Sequence, residues 1–431
     1  MRKKYLSIIA IALLISMFAG VSSVMAEEEV NISFTWWGDT ARHEVYNEIV
    51  DRFEDTYPHI NVDRHPGSWD QYWTKLSTQA AGGTAPDVVG MHPRYVADYA
   101  PRGALVDLAP FIESGVLDVD DIPESILDTG LADGKQYMIP QGVTMTGYIY
   151  NTQTFDELGV SYPERDWTYE EFAEKAIEVR EAAKSKGLDM WGAGDDSAMF
   201  IPQFAYFARS KGEVAYTEDG ELGFSEEIVA EWFQYWKDLR DKDAIPDAET
   251  GVEYAGLPLE QNLFNTDKIA VSTIPANQLW LYQDQVKNDG EIRIVRMPHL
   301  EDGEPGEYLE GAQFAITSGT EHPEAAAQLV SFFLNDEESQ KIFKLEQGVP
   351  PTTTAQEVIM DDLKASDQRT VEFVSYAQEL ADTAPQPPTG SSEVIALFEE
   401  VAQSVSFGYL TPEEGAAEFM QGAKDILSMN N

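Results

Sequence analysis

VNISFTWWGDTARHEVYNEIVDRFEDTYPHINVDRHPGSWDQYWTKLSTQAAGGTAPDVVGM, residues 30–91, decides the architecture of this chain. Val30 to Trp36 alternates apolar and polar residues, as a strand with one buried face does. Thr40 to Tyr57 then sets Val45, Ile49 and Phe53 at helical spacing, with Pro58 just past its end. Ile60 to Asp63 is a second short strand. Trp69 to Ala81 is a second helix, closed by Gly82-Gly83. Asp87 to Met91 is a third strand, bounded by Pro86 and Pro93. Strand, helix, strand, helix, strand predicts parallel strands joined by right-handed crossovers.

Outward from this segment the pattern continues with more helix. Thr168 to Lys186, Met199 to Lys211, Ser225 to Lys242 and Leu259 to Asn265 read as helices. Ile269 to Ser272, Ile292 to Val295 and Gly311 to Ile316 read as strands, and Pro323 to Leu334 as a helix. The last third is mostly helical, with a loop at Thr383 to Ser392. Before the deciding segment, Arg2, Lys3 and Lys4 precede an apolar run from Leu6 to Val21. Val24-Met25-Ala26 follows with small residues where a signal peptidase cuts. Residues 1–26 are therefore expected to be a removable secretory signal. The run is shorter than the ~20 apolar residues a membrane span needs.

Composition excludes several classes. A chain of 431 residues with 43% hydrophobic side chains supports two domains with sizeable cores. It contains no cysteine, so thiolate metal sites, disulfides and thiol nucleophiles are ruled out. No lipid-bearing cysteine follows the cleavage site, so the exported protein is expected to be soluble in the periplasm or the medium. Net charge is −47, with the acids spread along the chain. Such a surface does not bind nucleic acid. It suits a salty habitat, where the screening length falls to about 3 Å at 1 M salt. There is no P-loop and no nucleophile elbow. Gly192-Ala193-Gly194 lacks the context of a dinucleotide site. His59 and His65 lie at no common zinc spacing. Asp118 to Asp121 and Asp195-Asp196 read as solvated loop acids rather than calcium ligands. No cofactor, metal or catalytic residue is expected.

Four passages together resemble the bacterial extracellular solute-binding proteins of family 1, the maltose-binding-protein-like receptors of sugar ABC importers. They are Ile32 to Gly38 with its helix and Tyr57 to Val62; Gly82 to Val89; Asp133 to Pro140 running to Tyr148–Asn151; and Gly311 to Ile316 followed by His322 to Ala326 and Phe332 to Leu334. The resemblance spans nearly the whole chain after the signal. It implies an α/β, two-lobed periplasmic-binding-protein-like (type II) fold with a hinge and an interlobe ligand cleft. Lobe 1 is expected at residues 27–142 plus about 314–358. Lobe 2 is expected at about 143–313 plus 359–431. It also implies a carbohydrate ligand, ABC transporter permease subunits as partners, and a monomer that is not an enzyme.

Ligands of open α/β sheets lie beyond the carboxyl ends of strands. A sugar presents an apolar ring face edged by hydroxyls, so it needs an aromatic plate and planar polar groups. Trp37 is the expected plate, because Trp36 and Trp37 must face opposite sides of the strand. Asp39, Gln141, Asn277 and Gln313 are candidates for the polar edge. Gly38 and Gly311 would allow close backbone approach. His92, Arg94, Thr144, Trp191 and Trp280 complete the expected contacts. Trp69 and Trp73 read as packing residues with one possible place on the rim. Gln313 stands where the family often has an aromatic residue, and Thr144 where the maltose type has a carboxylate; both point away from maltose. Three rivals remain: a receptor for glycerol phosphate or another polar solute, a glycoside-active enzyme with a carboxylate pair, and a receptor that signals without transport.

Overall fold

The computed structural model describes residues 29–430 apart from 97, 133, 218, 255–256, 288–289, 302, 304–306, 379 and 384–386. The expected signal segment lies outside the described residues. Two separate sheets organise the rest. The strands are β1 (Val30–Thr35), β2 (Ile60–Arg64), β3 (Val88–Met91), β4 (Met138–Pro140), β5 (Thr146–Asn151), β6 (Trp191–Ala193), β7 (Ile269–Pro275), β8 (Ile292–Val295) and β9 (Gln313–Ile316). The first sheet has the order β2-β1-β3-β9-β4 and the second β8-β5-β7-β6. β1 pairs in parallel with both β2 and β3, as the deciding segment predicts. β9 returns antiparallel between β3 and β4.

The strand period sorts side chains onto two faces. Ile32, Phe34 and Trp36 enter one core with α1 (Thr40–Thr56), where Trp36 stacks on Tyr46 at 5.0 Å. Trp37 enters the opposite core, under α2 (Trp69–Ala81). The second sheet is packed by α3 (Tyr169–Ser185), capped by a Thr168–Glu171 capping box, and by α4 (Glu226–Asp241). Trp232 and Trp236 lie buried along α4, as their four-residue spacing implies. Downstream come α5 (Pro323–Asn335), α6 (Ala365–Ala377), α7 (Ser391–Ser406) and α8 (Pro412–Asn430).

Two expected helices are reduced. Leu259 to Asn265 forms only one tight turn at Leu259–Gln261. The Asn262 carboxamide accepts from the Asn265 amide at 2.8 Å, and the Asn265 side chain bonds the Leu259 carbonyl at 2.8 Å. These local bonds compete with a helix ladder. In Met199 to Lys211, Ile201 takes an extended φ/ψ of −122°/128° ahead of Pro202. The residue before proline is driven out of the helical region, so the regular helix begins only at Ala205.

The two sheets are joined where three segments run side by side. Val143 exchanges backbone hydrogen bonds with Val349, both at 2.7 Å, and Thr144 exchanges them with Glu310 at 2.8 and 2.9 Å. A glycine on each segment makes that approach possible. A Cβ on Gly311 would stand 2.0 Å from the Gly142 carbonyl oxygen, and one on Gly348 2.6 Å from that of Val143. Tyr308–Leu309 also pairs in parallel with Asp382–Thr383 at this junction.

Candidate functional site

A cavity of about 400 Å³ opens between the two lobes, within the size range of small-molecule sites. The first lobe lines it with His92, Pro93, Tyr95, Thr129 and Leu131. The second contributes Ile201, Ala205, Ala215, Tyr216, Pro387, Ser391, Ser392 and Ile395. The joining segment adds Tyr308, Leu309 and Glu310. His92 directly follows β3, so the wall stands beyond a strand's carboxyl end.

The first-lobe wall is built on layered aromatics. Tyr95 stacks on Trp73 with centroids 4.0 Å apart and planes 28° apart. Trp69 meets Trp73 edge-on at 5.4 Å and His92 at 6.0 Å. Trp37 stands behind them, 5.2 Å from both Trp69 and Trp73. The expected plate, Trp37, stands outside the cavity lining. Trp37 is only 5% exposed, whereas Trp69 is 37% exposed. The two residues of α2 that read as packing cover the strand tryptophan, because α2 crosses the sheet face onto which Trp37 points.

The expected polar edge is mostly committed elsewhere. Gln141 is buried, accepts from the Tyr46 hydroxyl and donates to the Gln313 carbonyl at 2.6 Å. Gln313 is equally buried and donates to the Thr129 hydroxyl at 3.1 Å. Thr129 spends its own proton on the Ile126 carbonyl at 2.6 Å. Neither amide is among the residues that line the cavity, and the Gln313 Oε1 is buried with no hydrogen-bond partner among the described residues. Asp39 caps α1 by accepting from the Arg42 amide at 3.0 Å. That backbone hydrogen bond holds its carboxyl below the ordinary range. At Gly38 an added Cβ would press on the Arg42 side chain, and at Gly311 on the Gly142 backbone. Both glycines thus serve chain packing.

The remaining candidates divide. Thr144 and Asn277 meet, with 3.3 Å between hydroxyl and carboxamide oxygen, one strand away from Glu310. His92 lines the cavity. Trp191 is turned away from it: its indole donates to Asp243 at 3.0 Å and lies 5.0 Å from the Arg180 guanidinium. Trp280 is 40% exposed and faces Lys364 at 6.0 Å, outside the cavity lining. The Arg94 side chain lies outside the described residues. The cavity lining also includes Tyr95, Tyr216, Tyr308, Glu310 and the Ser391-Ser392 pair, none of which sequence reasoning singled out. Tyr95 was within reach, since it shares the strand-end segment with His92. The others come from segments far apart in the chain and carry no local motif.

Burial also sets the electrostatics within the second lobe. Asp196, after β6, accepts from the Tyr148 hydroxyl at 2.7 Å and the Thr273 hydroxyl at 3.1 Å. Burial outweighs these bonds and pushes its pKa up to about 6. Its neighbour Asp195 pairs with Arg240 at 2.5 Å. Burial likewise pushes the Tyr216 hydroxyl up. Among the described residues no cluster of His, Asp and Glu could hold a metal ion, and no helix is long and apolar enough to cross a membrane.

Two lobes, a glycine-lined junction and a cavity between them define a solute receptor, and the family is explicit. The chain belongs to the bacterial extracellular solute-binding proteins, whose family model matches residues 37–340. It is similar to an extracellular solute-binding protein family 1 structure from Alicyclobacillus acidocaldarius. That likeness has 28% identity and a TM-score of 0.79, over 93% of this chain and 99% of the other. An oligogalacturonide-binding protein of Yersinia enterocolitica, 24% identical, shares the fold with a TM-score of 0.76 over 93% and 100% of the two chains. The erythritol/L-threitol-binding protein of Mycolicibacterium smegmatis is 27% identical over 48% of this chain and 47% of its own.

Proposed function

We propose that this chain is the substrate-binding subunit of an ABC importer, capturing a sugar or polyol between its lobes and presenting it to a membrane permease. The observation that carries this reading is the cavity with an aromatic wall on one lobe and hydroxyl-bearing side chains on the other. Tyr95, backed by Trp73, is the plate for a ring face, with His92 beside it. Lobe 1 comprises residues 27–142 plus about 314–358, and lobe 2 about 143–313 plus 359–431. Contacts to both lobes favour the closed form, and only such differential affinity shifts a conformational equilibrium.

The protein acts as a monomer that binds without catalysis. A glycosidase needs two carboxylates flanking the bond, and Glu310 is the single carboxylate among the described cavity residues. It is exported to the periplasm or the medium, carries no lipid anchor and does not bind nucleic acid. The relatives that support a carbohydrate ligand include proteins named for binding erythritol or L-threitol, and melibiose, raffinose or stachyose.

A thermal-shift screen in 1 M salt with mono- and oligosaccharides, polyols, amino acids and phosphates tests this. A sugar at a hundred times its Kd stabilises the fold by about 2.7 kcal/mol. A response confined to amino acids or inorganic phosphate overturns the reading.

A further inference from the structure

The turn between α7 and α8 carries two aromatic side chains in water. Phe407 is 43% exposed and Tyr409 79%. Their rings stack with centroids 5.9 Å apart and planes 16° apart. Single exposed apolar residues are ordinary, but large ones presented together mark interaction sites. The turn is held firmly. The Phe407 amide donates to the Gln403 carbonyl at 2.9 Å, the Gly408 amide to that of Val405 at 3.0 Å and the Tyr409 amide to that of Ser404 at 2.9 Å. Gly408 takes the left-handed φ of 75° that closes a helix. Just beyond, Thr411 and Glu414 form a capping box with bonds of 2.9 and 3.2 Å. The aromatic pair is therefore presented in one arrangement, and little order has to be imposed when a partner binds it.

The rim of this tip is acidic. Glu399 and Glu400 lie back along α7 from Phe407 at helical spacing, and Glu413 and Glu414 open α8; all four are exposed. The sequence has no Lys or Arg between Arg369 and Lys424. Ser406 stands 3.5 Å from Ser197, hydroxyl to hydroxyl, so the turn adjoins the loop after β6 that leads through exposed Met199 to Ile201 of the cavity wall. Arg240, which also reaches the Ser197 hydroxyl, is buried and paired with Asp195. Carboxylates around an apolar tip repel a second copy of this chain and repel an anionic lipid surface, whereas they complement a cationic one. We infer that the Phe407–Tyr409 turn is a docking tip that enters an apolar socket rimmed by Arg or Lys on the membrane permease. This rests on the reading of the chain as an importer's receptor, and it assigns the surface through which the second lobe engages its partner.

The test is binding of the intact exported chain to the permease of its importer held in phosphatidylcholine nanodiscs, with empty nanodiscs alongside. Binding to the permease discs and not to the empty ones is expected. Tyr409→Ser and Phe407→Ser should each raise the Kd about thirtyfold, the scale of an aromatic hot spot. Neither should shift the melting temperature, because both side chains stand in water. Val252→Ser, at an apolar residue 50% exposed elsewhere on the chain, is the matched control and should bind as the natural chain does. Glu400→Lys combined with Glu413→Lys should weaken binding about tenfold at 0.15 M salt and less at 1 M, where the screening length falls from about 8 to about 3 Å. Unchanged affinity in both aromatic variants, or tighter binding by the lysine variant, overturns the docking tip while leaving an importer's receptor standing. Equal binding to empty nanodiscs, or a dimer in sedimentation that Tyr409→Ser abolishes, puts lipid or a second copy in place of the permease and overturns it as well. No binding of the natural chain to the permease discs at either salt concentration removes the importer reading itself.

Discussion

Asp196 is held by Tyr148 from β5 and Thr273 from β7, so one carboxylate ties two strands to the loop after β6. Its pKa is raised by burial to about 6. The folded state therefore binds the proton more tightly than the unfolded chain. The stabilisation from that proton is complete below pH ~4 and is lost as pH rises through about 6. A shift of this size corresponds to about 3 kcal/mol. Asp196→Asn should flatten the stability profile between those pH values, as measured by denaturant unfolding; a profile identical to that of the natural chain contradicts the burial argument. The aromatic wall gives a paired prediction. Trp37→Ala should destabilise the fold by about 3–5 kcal/mol, since it empties a buried site. Tyr95→Ala should cost little stability and lower sugar affinity about tenfold, the scale of one ring contact. The sequence separated Trp36 from Trp37 by strand alternation. It could not show that α2 would lay Trp69 and Trp73 over Trp37, because that depends on how helix and sheet pack.

Between β8 and the junction, Arg296 and Glu307 form a bidentate pair at 2.9 and 2.7 Å with both residues buried. Arg296 also reaches Asp166 at 2.8 Å, and the Trp167 indole bonds its carbonyl at 2.8 Å. The pair fixes the segment that leads into Tyr308. Glu307→Ala takes the bidentate partner from a buried guanidinium, leaving it only Asp166, and should destabilise by about 3 kcal/mol, read by chemical unfolding. The crossing glycines act on backbone. Gly311→Ala would force two segments apart and should lower the melting temperature; Gly134→Ala, with nothing within 4 Å of the added Cβ, is the matched control for steric fit. Elements with strong periodicity, such as α1, α2 and α4, were legible from spacing alone. Leu259 to Asn265 was not, because its asparagines turn the chain locally. The partners of Arg296 were equally hidden, since nothing in the sequence pairs it with Glu307 rather than with any other acid.

At the scale of the molecule, the family passages revealed the two-lobed fold, while the site was only partly legible. Its walls are assembled from segments near residues 92, 216, 310 and 391, which no local motif connects. The net charge of −47 adds a second property. Self-repulsion destabilises a compact state, and salt screens it. The melting temperature of the free chain should therefore rise between 0.1 and 1 M salt, and a flat response would contradict that argument. Closure of the two lobes over a bound sugar is the action proposed for the molecule. Small-angle X-ray scattering of the exported chain in 1 M salt, with and without a sugar shown by calorimetry to bind, tests it most directly. The account predicts that the radius of gyration falls when the sugar is added and does not fall when the same sugar is added to Tyr95→Ala at a concentration that leaves that variant unliganded. A sugar that binds the natural chain tightly while its scattering curve stays superimposable on that of the free protein would contradict it.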